Sequence, residues 1–249
     1  AALVILVFFT FYVSSGMVAA GKFFVSSFGW NYFAGMAVVA VVTLVYTLFG
    51  GFLGATLTDV AQGLLMLAAL IAVPIVTIFE LGGWSEATSR ITDVKPEAFN
   101  LFSGFSNNGI LWIVTAISTS AWGLGYFGQP HIIVRFMALR SPGEAKTARR
   151  ISLFWMVLSA SGAIFTALIG IGYFAGDPEI KLGKGESEEV FLVMSRIFFH
   201  PFVAGLVLAA VLAAIMSTMS SQMIVCASAL VEDLYSLMGR KVSARNLLI

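Results

Sequence analysis

The 249 residues are 59% hydrophobic and only 11% charged, with a mean hydropathy of +0.96, whereas an ordinary soluble domain carries about 25% charged residues. That balance excludes a water-soluble globular domain and points to a chain dissolved in lipid. A net charge of +1 with no basic run interleaved with aromatics offers nothing to hold nucleic acid, and the lone Cys226 excludes an intrachain disulfide.

The charges cluster between long charge-free intervals, each able to hold the roughly 20 residues that cross a hydrocarbon core of about 30 Å. In chain order, the apolar windows predict an all-α membrane protein with six spanning helices, at residues 2 to 21, 31 to 50, 59 to 80, 110 to 137, 151 to 174 and 201 to 235. The first begins "AALVILVFF", with neither an initiating methionine nor a basic leader, and "SARNLLI" closes the chain as a further apolar stretch begins. These ends predict an internal piece of a longer protein.

A short connection containing "GGFLGATLTD" leads from the second span to the third, which opens at Asp59, the lone acid between residues 23 and 79. An acid there complements the helix dipole as a cap. The functional alternative is a charge on a cation route to the cytoplasm.

The fourth span contains "WGLGYFGQPH", where Gly123, Gly125, Gly128 and Pro130 weaken the helix within eight positions and Pro130 disfavours helical geometry at Gln129. In lipid such a break survives only where protein or a water-filled cavity surrounds it, so it marks an interior site. Freed amides suit a carboxylate and freed carbonyls an ammonium, so one gap holds both ends of a zwitterion. Trp122 and Tyr126, one turn apart, supply apolar walls and two donors. The plainer alternative is close helix packing at the glycines, an ordinary proline kink and interfacial aromatics.

After the fourth span come Arg135, Arg140, Lys146, Arg149 and Arg150, and after the sixth Arg240, Lys241 and Arg245. Both segments are therefore expected on the cytoplasmic side, with residues 81 to 109 and 175 to 199 outside. The sixth span carries "AAIMSTMSSQ", in which Ala214, Ser217 and Thr218 stand at i, i+3 and i+4 on one face. Three neutral oxygens converging there suit a weakly charged cation such as sodium. The alternative is hydroxyls satisfied on their own backbone or on a neighbouring helix. His131 and His200 lie far apart without carboxylates at metal-ligand spacing, and no nucleophile or phosphate-cradling motif stands out, so no enzyme chemistry is expected.

Three stretches, "YTLFGGFLGATLTDVAQ", "WGLGYFGQPHIIVRFMA" with "ARRIS", and "LAAIMSTMSSQMIVCASALVEDLY", carry a resemblance over essentially the whole chain. The sequence resembles the sodium/proline symporters of the sodium:solute symporter family. The resemblance implies two inverted five-helix repeats, with residues 1 to 80 as the last three helices of the first and 110 to 235 as the first three of the second, in one transporter domain. It implies a multi-pass protein of the cytoplasmic membrane that takes up L-proline by sodium-coupled alternating access. Trp122, Tyr126 and Pro130 match positions lining a proline site shaped by Gly123, Gly125, Gly128 and Gln129. Ala214, Ser217 and Thr218 match sodium ligands, and Asp59 an aspartate linked to sodium binding or release. The first repeat's own broken helix and the last two helices of the second are expected to lie outside these residues. Another solute of the same family, such as pantothenate or a small carboxylate, a symporter-like sensor, and a ligand-free packing bundle stay open.

Overall fold

The computed structural model describes residues 2–103, 109–126, 128–176 and 186–234, and among them all regular structure is helical. The helices are α1 (Ala2–Phe28), α2 (Tyr32–Glu80), α3 (Trp84–Val94), α4 (Gly109–Tyr126), α5 (Pro130–Met137), α6 (Glu144–Gly176), α7 (Val190–Phe198) and α8 (Pro201–Ser228). Helical segments at Ala2–Phe28, Tyr32–Glu80, Glu144–Phe174 and Pro201–Asp233 are long and apolar enough to cross a membrane. Their apolar side chains face outward in large numbers, from Leu3 and Phe8 to Phe165 and Leu206. A bilayer, rather than water, is the solvent that makes such a surface stable.

The chain forms two compact units, residues 1–66 with 205–249, and residues 67–204. In the first, α1 ends where Gly29, at φ 65, donates its N–H to the Val25 carbonyl at 2.9 Å. Asn31 then caps α2, its side-chain oxygen accepting from the amides of Phe33 and Ala34 at 2.9 and 3.3 Å. Gly21 and Gly35 let this hairpin close, since a Cβ at either would collide with the ring of Tyr32 or the side chain of Phe24. Phe24, Phe28 and Trp30 cluster at the turn with centroids 5.3 to 6.2 Å apart, as befits a membrane–water interface.

At 49 residues, α2 would be about 74 Å long if straight, more than twice the hydrocarbon thickness. Gly51, at φ 53 and ψ −152, breaks it. The contacts with α8 locate the bend independently: Tyr46 Oη donates to the Met216 carbonyl at 3.0 Å and Ser221 Oγ to Asp59 Oδ2 at 3.4 Å. Five residues of α8 rise about 7.5 Å, while thirteen of a straight α2 would rise about 20 Å. Only a sharp turn at Gly51 reconciles the two. The connection expected at residues 51 to 58 is thus a single glycine, and helix resumes at Phe52 rather than at Asp59.

In the second unit, residues 67–80 of α2 pack on α6, where Gly162 meets the backbone of Leu70. The segment expected outside the membrane contains α3, whose Ala87 and Ile91 are fully buried on α6 beside Gly172. Trp84 meets Phe165 edge-on with centroids 5.7 Å apart. Its polar face is solvated and carries the Arg90–Glu86 ion pair at 3.1 Å. Past the C-terminal end of α6, α7 lies with Val190 beside Gly170 and Phe198 edge-on to Tyr173 at 4.8 Å. α6 itself begins at Glu144, seven residues before the apolar window at 151, because a helix extends into water wherever its polar turns are satisfied. The 201–235 prediction resolves into α8 and a π-helical turn, Ala229–Leu234.

Candidate functional site

Each unit holds one of the constellations singled out in the sequence. In the second unit the predicted span 110–137 is two helices, α4 and α5, separated by residues 127–129. The Gly125 and Tyr126 carbonyls accept from the amides of Gly128 and Gln129 at 3.1 and 3.4 Å. These are i to i+3 bonds, so the last turn of α4 tightens and stops. Gln129 is extended, at φ −72 and ψ 119, and Pro130 opens α5 as its first residue, where its missing N–H costs nothing. The Gln129 carbonyl then accepts from Ile132 and Ile133 at 3.0 and 3.1 Å.

The negative end of the α4 dipole and the positive end of the α5 dipole therefore both point into the gap. Each α4 carbonyl keeps a second lone pair, and Pro130 offers no donor. A Cβ at Gly123 or Gly125 would meet nothing within 4 Å, and one at Gly128 only the Gly125 carbonyl at 3.7 Å. Among the described residues these glycines are not packing contacts, in contrast to Gly162. Tyr126 is half-buried and shares a cavity with α5 and α6. Gln129 and Pro130 are half-buried at the start of α5. The side chain of Trp122 lies outside the described residues.

In the first unit, Ser217 Oγ and Thr218 Oγ1 both donate to the Ala214 carbonyl, at 3.1 and 3.0 Å. The predicted convergence of three oxygens is present, and it is built from the back-bonding that satisfies such hydroxyls within one helix. Asp59 is two turns inside the helical segment that resumes at Phe52, so it caps no helix start. It instead accepts from Ser221, one turn beyond Ser217 on α8.

The polar surface of this unit is larger than the three expected ligands. Ser220 donates to the Ser217 carbonyl at 3.0 Å, and Ser220 and Gln222 are fully buried. From α2 come the buried Thr43 and Thr47 and the Tyr46 hydroxyl on Met216. The signal for these residues is in the sequence. Thr43, Tyr46 and Thr47 recur at helical spacing in an otherwise apolar span, and Ser217 to Gln222 is a nearly unbroken polar run. A buried polar run in lipid marks an interior surface. Arg240, Lys241 and Arg245, used for orientation, lie outside the described residues.

The sodium:solute symporter family model matches residues 1–249, the entire chain. The chain belongs to the sodium:solute symporter family. It is 51% identical over 247 residues to the high-affinity proline transporter PutP of Bacillus subtilis, covering 99% of this chain and 50% of that protein. It is 45% identical over 249 residues to the osmoregulated proline transporter OpuE of the same organism, with 100% and 49% covered. To sodium/proline symporter 2 of Staphylococcus saprophyticus it is 48% identical over 243 residues, with 98% and 46% covered. The chain thus spans about half the length of the relatives it matches. Membership in this family accounts for an integral membrane protein with several long apolar helices.

Proposed function

We propose that this symporter-family chain is part of a sodium-coupled L-proline uptake system of the cytoplasmic membrane, working by alternating access. The observation that carries the reading is the 45–51% identity to proteins named as proline transporters, extending over essentially every residue of the chain. The α4–α5 break supports it on physical grounds. A zwitterion finds carbonyls for its ammonium at the end of α4 and a positive dipole end for its carboxylate at the start of α5. Trp122 and Tyr126 wall the ring of the solute, while Gly123, Gly125, Gly128 and Gln129 leave room for it and Pro130 holds the gap open.

Sodium, as the co-transported ion, is held by the Ala214 carbonyl with the Ser217 and Thr218 hydroxyls, completed by oxygens from beyond this chain's described residues. Asp59, held by Ser221, lies on its path to the cytoplasm. Coupling is linkage: whatever factor sodium adds to proline affinity, proline adds to sodium affinity, typically by about 1 to 3 kcal/mol. The repeat assignment, with residues 1 to 80 closing one inverted repeat and 110 to 235 opening the next, belongs to the same proposal.

The test is radiolabelled L-proline uptake into proteoliposomes containing the full-length protein, with and without an inward sodium gradient, beside Trp122→Ala. Sodium-driven uptake abolished by the substitution is the expected result. Absence of uptake under a verified gradient refutes the substrate, and uptake unchanged in Trp122→Ala refutes the site.

A further inference from the structure

A cavity of about 500 Å³ lies between α5 and α6 in the second unit, with Tyr126 of α4 at one edge, and away from that edge its walls change character along α6. Lys146, Arg149 and Ser152 line one end, and Leu153 and Met156 continue the same face, at the i, i+3, i+7 spacing of one helical stripe. Ile133 and Phe136 of α5 form the opposite wall. From Lys146 to Met156 the helix rises about 15 Å, half the thickness of the hydrocarbon core. The stripe therefore passes from cationic to apolar over the depth of one leaflet.

The two cations have no local explanation. Among the described residues neither Lys146 nor Arg149 has an ion-pair partner. Glu144, the lone acid between residues 98 and 176, is two positions from Lys146 and does not share its face. Both cations stand near the N-terminal end of α6, where the helix dipole disfavours positive charge. Arg135, Arg140 and Arg150 add to the same basic segment, which the excess of basic residues places at the cytoplasmic surface. The apolar wall is open to lipid: Ile133 is 41%, Phe136 40% and Leu153 50% exposed.

We infer that the α5–α6 cavity binds an anionic phospholipid of the cytoplasmic leaflet, with the phosphate on Lys146 and Arg149 and an acyl chain against Ile133, Phe136, Leu153 and Met156. Basic pockets between membrane helices on this side have the charge and depth to take such headgroups. A zwitterionic lipid brings its own cation to the same place and loses the preference. The site is independent of the identity of the transported solute. It requires only that this end of α6 be cytoplasmic.

The test uses the full-length protein in phosphatidylcholine nanodiscs doped with phosphatidylglycerol. Lipid retained through purification is quantified by native mass spectrometry for the wild type, for Lys146→Gln/Arg149→Gln and for Arg135→Gln/Arg140→Gln. The expected result is a roughly tenfold to thirtyfold loss of phosphatidylglycerol preference in the first pair and a small loss in the second. Equal losses in both pairs mean diffuse surface attraction and overturn the site. A second measurement stands even if the double variant fails to fold. A tryptophan reporter introduced as Phe136→Trp is read as the increase in quenching over the wild type, in which this chain's own five tryptophans set the baseline, with dibrominated phosphatidylglycerol and with dibrominated phosphatidylcholine. A larger increase with the anionic lipid is expected, whereas no increase with either means that other parts of the full-length protein fill the cavity, which refutes the inference.

Discussion

Gly162→Ala and Gly123→Ala exchange the same two residue types in membrane helices of one unit, and the structure predicts opposite consequences. At Gly162 an added Cβ would lie 2.5 Å from the Leu70 carbonyl oxygen and 3.0 Å from its carbon. Ordinary van der Waals contact begins at 3.4 Å, so the first distance is short by 3.4 − 2.5 = 0.9 Å. The obstacle is backbone, which no rotamer change relieves. Separating α2 from α6 by that amount is an overpacking defect of about 1 to 3 kcal/mol. At Gly123 the same Cβ meets nothing within 4 Å among the described residues, and alanine favours helix over glycine by about 1 kcal/mol. In detergent-solubilised full-length protein, followed by thermal unfolding, Gly162→Ala is expected to melt several degrees below wild type and Gly123→Ala at or above it. Uptake should reverse the order of concern: Gly123→Ala stiffens the approach to the α4–α5 gap and is expected to lower transport in a protein that is no less stable. A Gly162→Ala protein melting with the wild type refutes the close α2–α6 approach. Unimpaired transport by Gly123→Ala refutes the need for a soft helix end at the gap.

Two further expectations concern the other unit. Ser217→Ala and Thr218→Ala each remove one oxygen from the cluster on the Ala214 carbonyl, and each should raise the sodium concentration for half-maximal uptake by about tenfold or more, the scale of a polar contact to a charged group; unchanged sodium dependence in both sinks the ion-site assignment. Tyr46→Phe deletes the hydrogen bond to Met216 while keeping the ring, and is expected to cost about 0.5 to 1.5 kcal/mol of stability, read as a lower melting temperature. Equal melting would show that the contact between α2 and α8 does not depend on that hydroxyl.

The apolar windows located membrane-spanning helices because lipid imposes a length and a polarity that any single sequence displays. The break at Gly123 to Pro130 was legible for the same reason: glycine and proline act on their own backbone, whatever surrounds them. Likewise Ala214, Ser217 and Thr218 converge because helix geometry alone puts i, i+3 and i+4 together. The connection around Gly51 was harder. A run such as "FGGFLGATL" is apolar enough to be helix or turn, and only the grip of Tyr46 and Asp59 on nearby positions of α8 selects one sharp kink.

Asp59 shows the limit most clearly. In the sequence it stands at the predicted start of a helix, and a capping role is as natural as a functional one. In the fold it sits two turns inside a helix, held by a serine 162 positions away. Short-range order, comprising span length, the helix break and same-face hydroxyls, is set by forces that reach three or four residues along the chain. The partner of Asp59, the burial of Gln222, the glycine contact at Leu70 and the cavity beneath Lys146 and Arg149 arise only when distant segments pack. No local periodicity encodes those distances, so tertiary structure alone decided them.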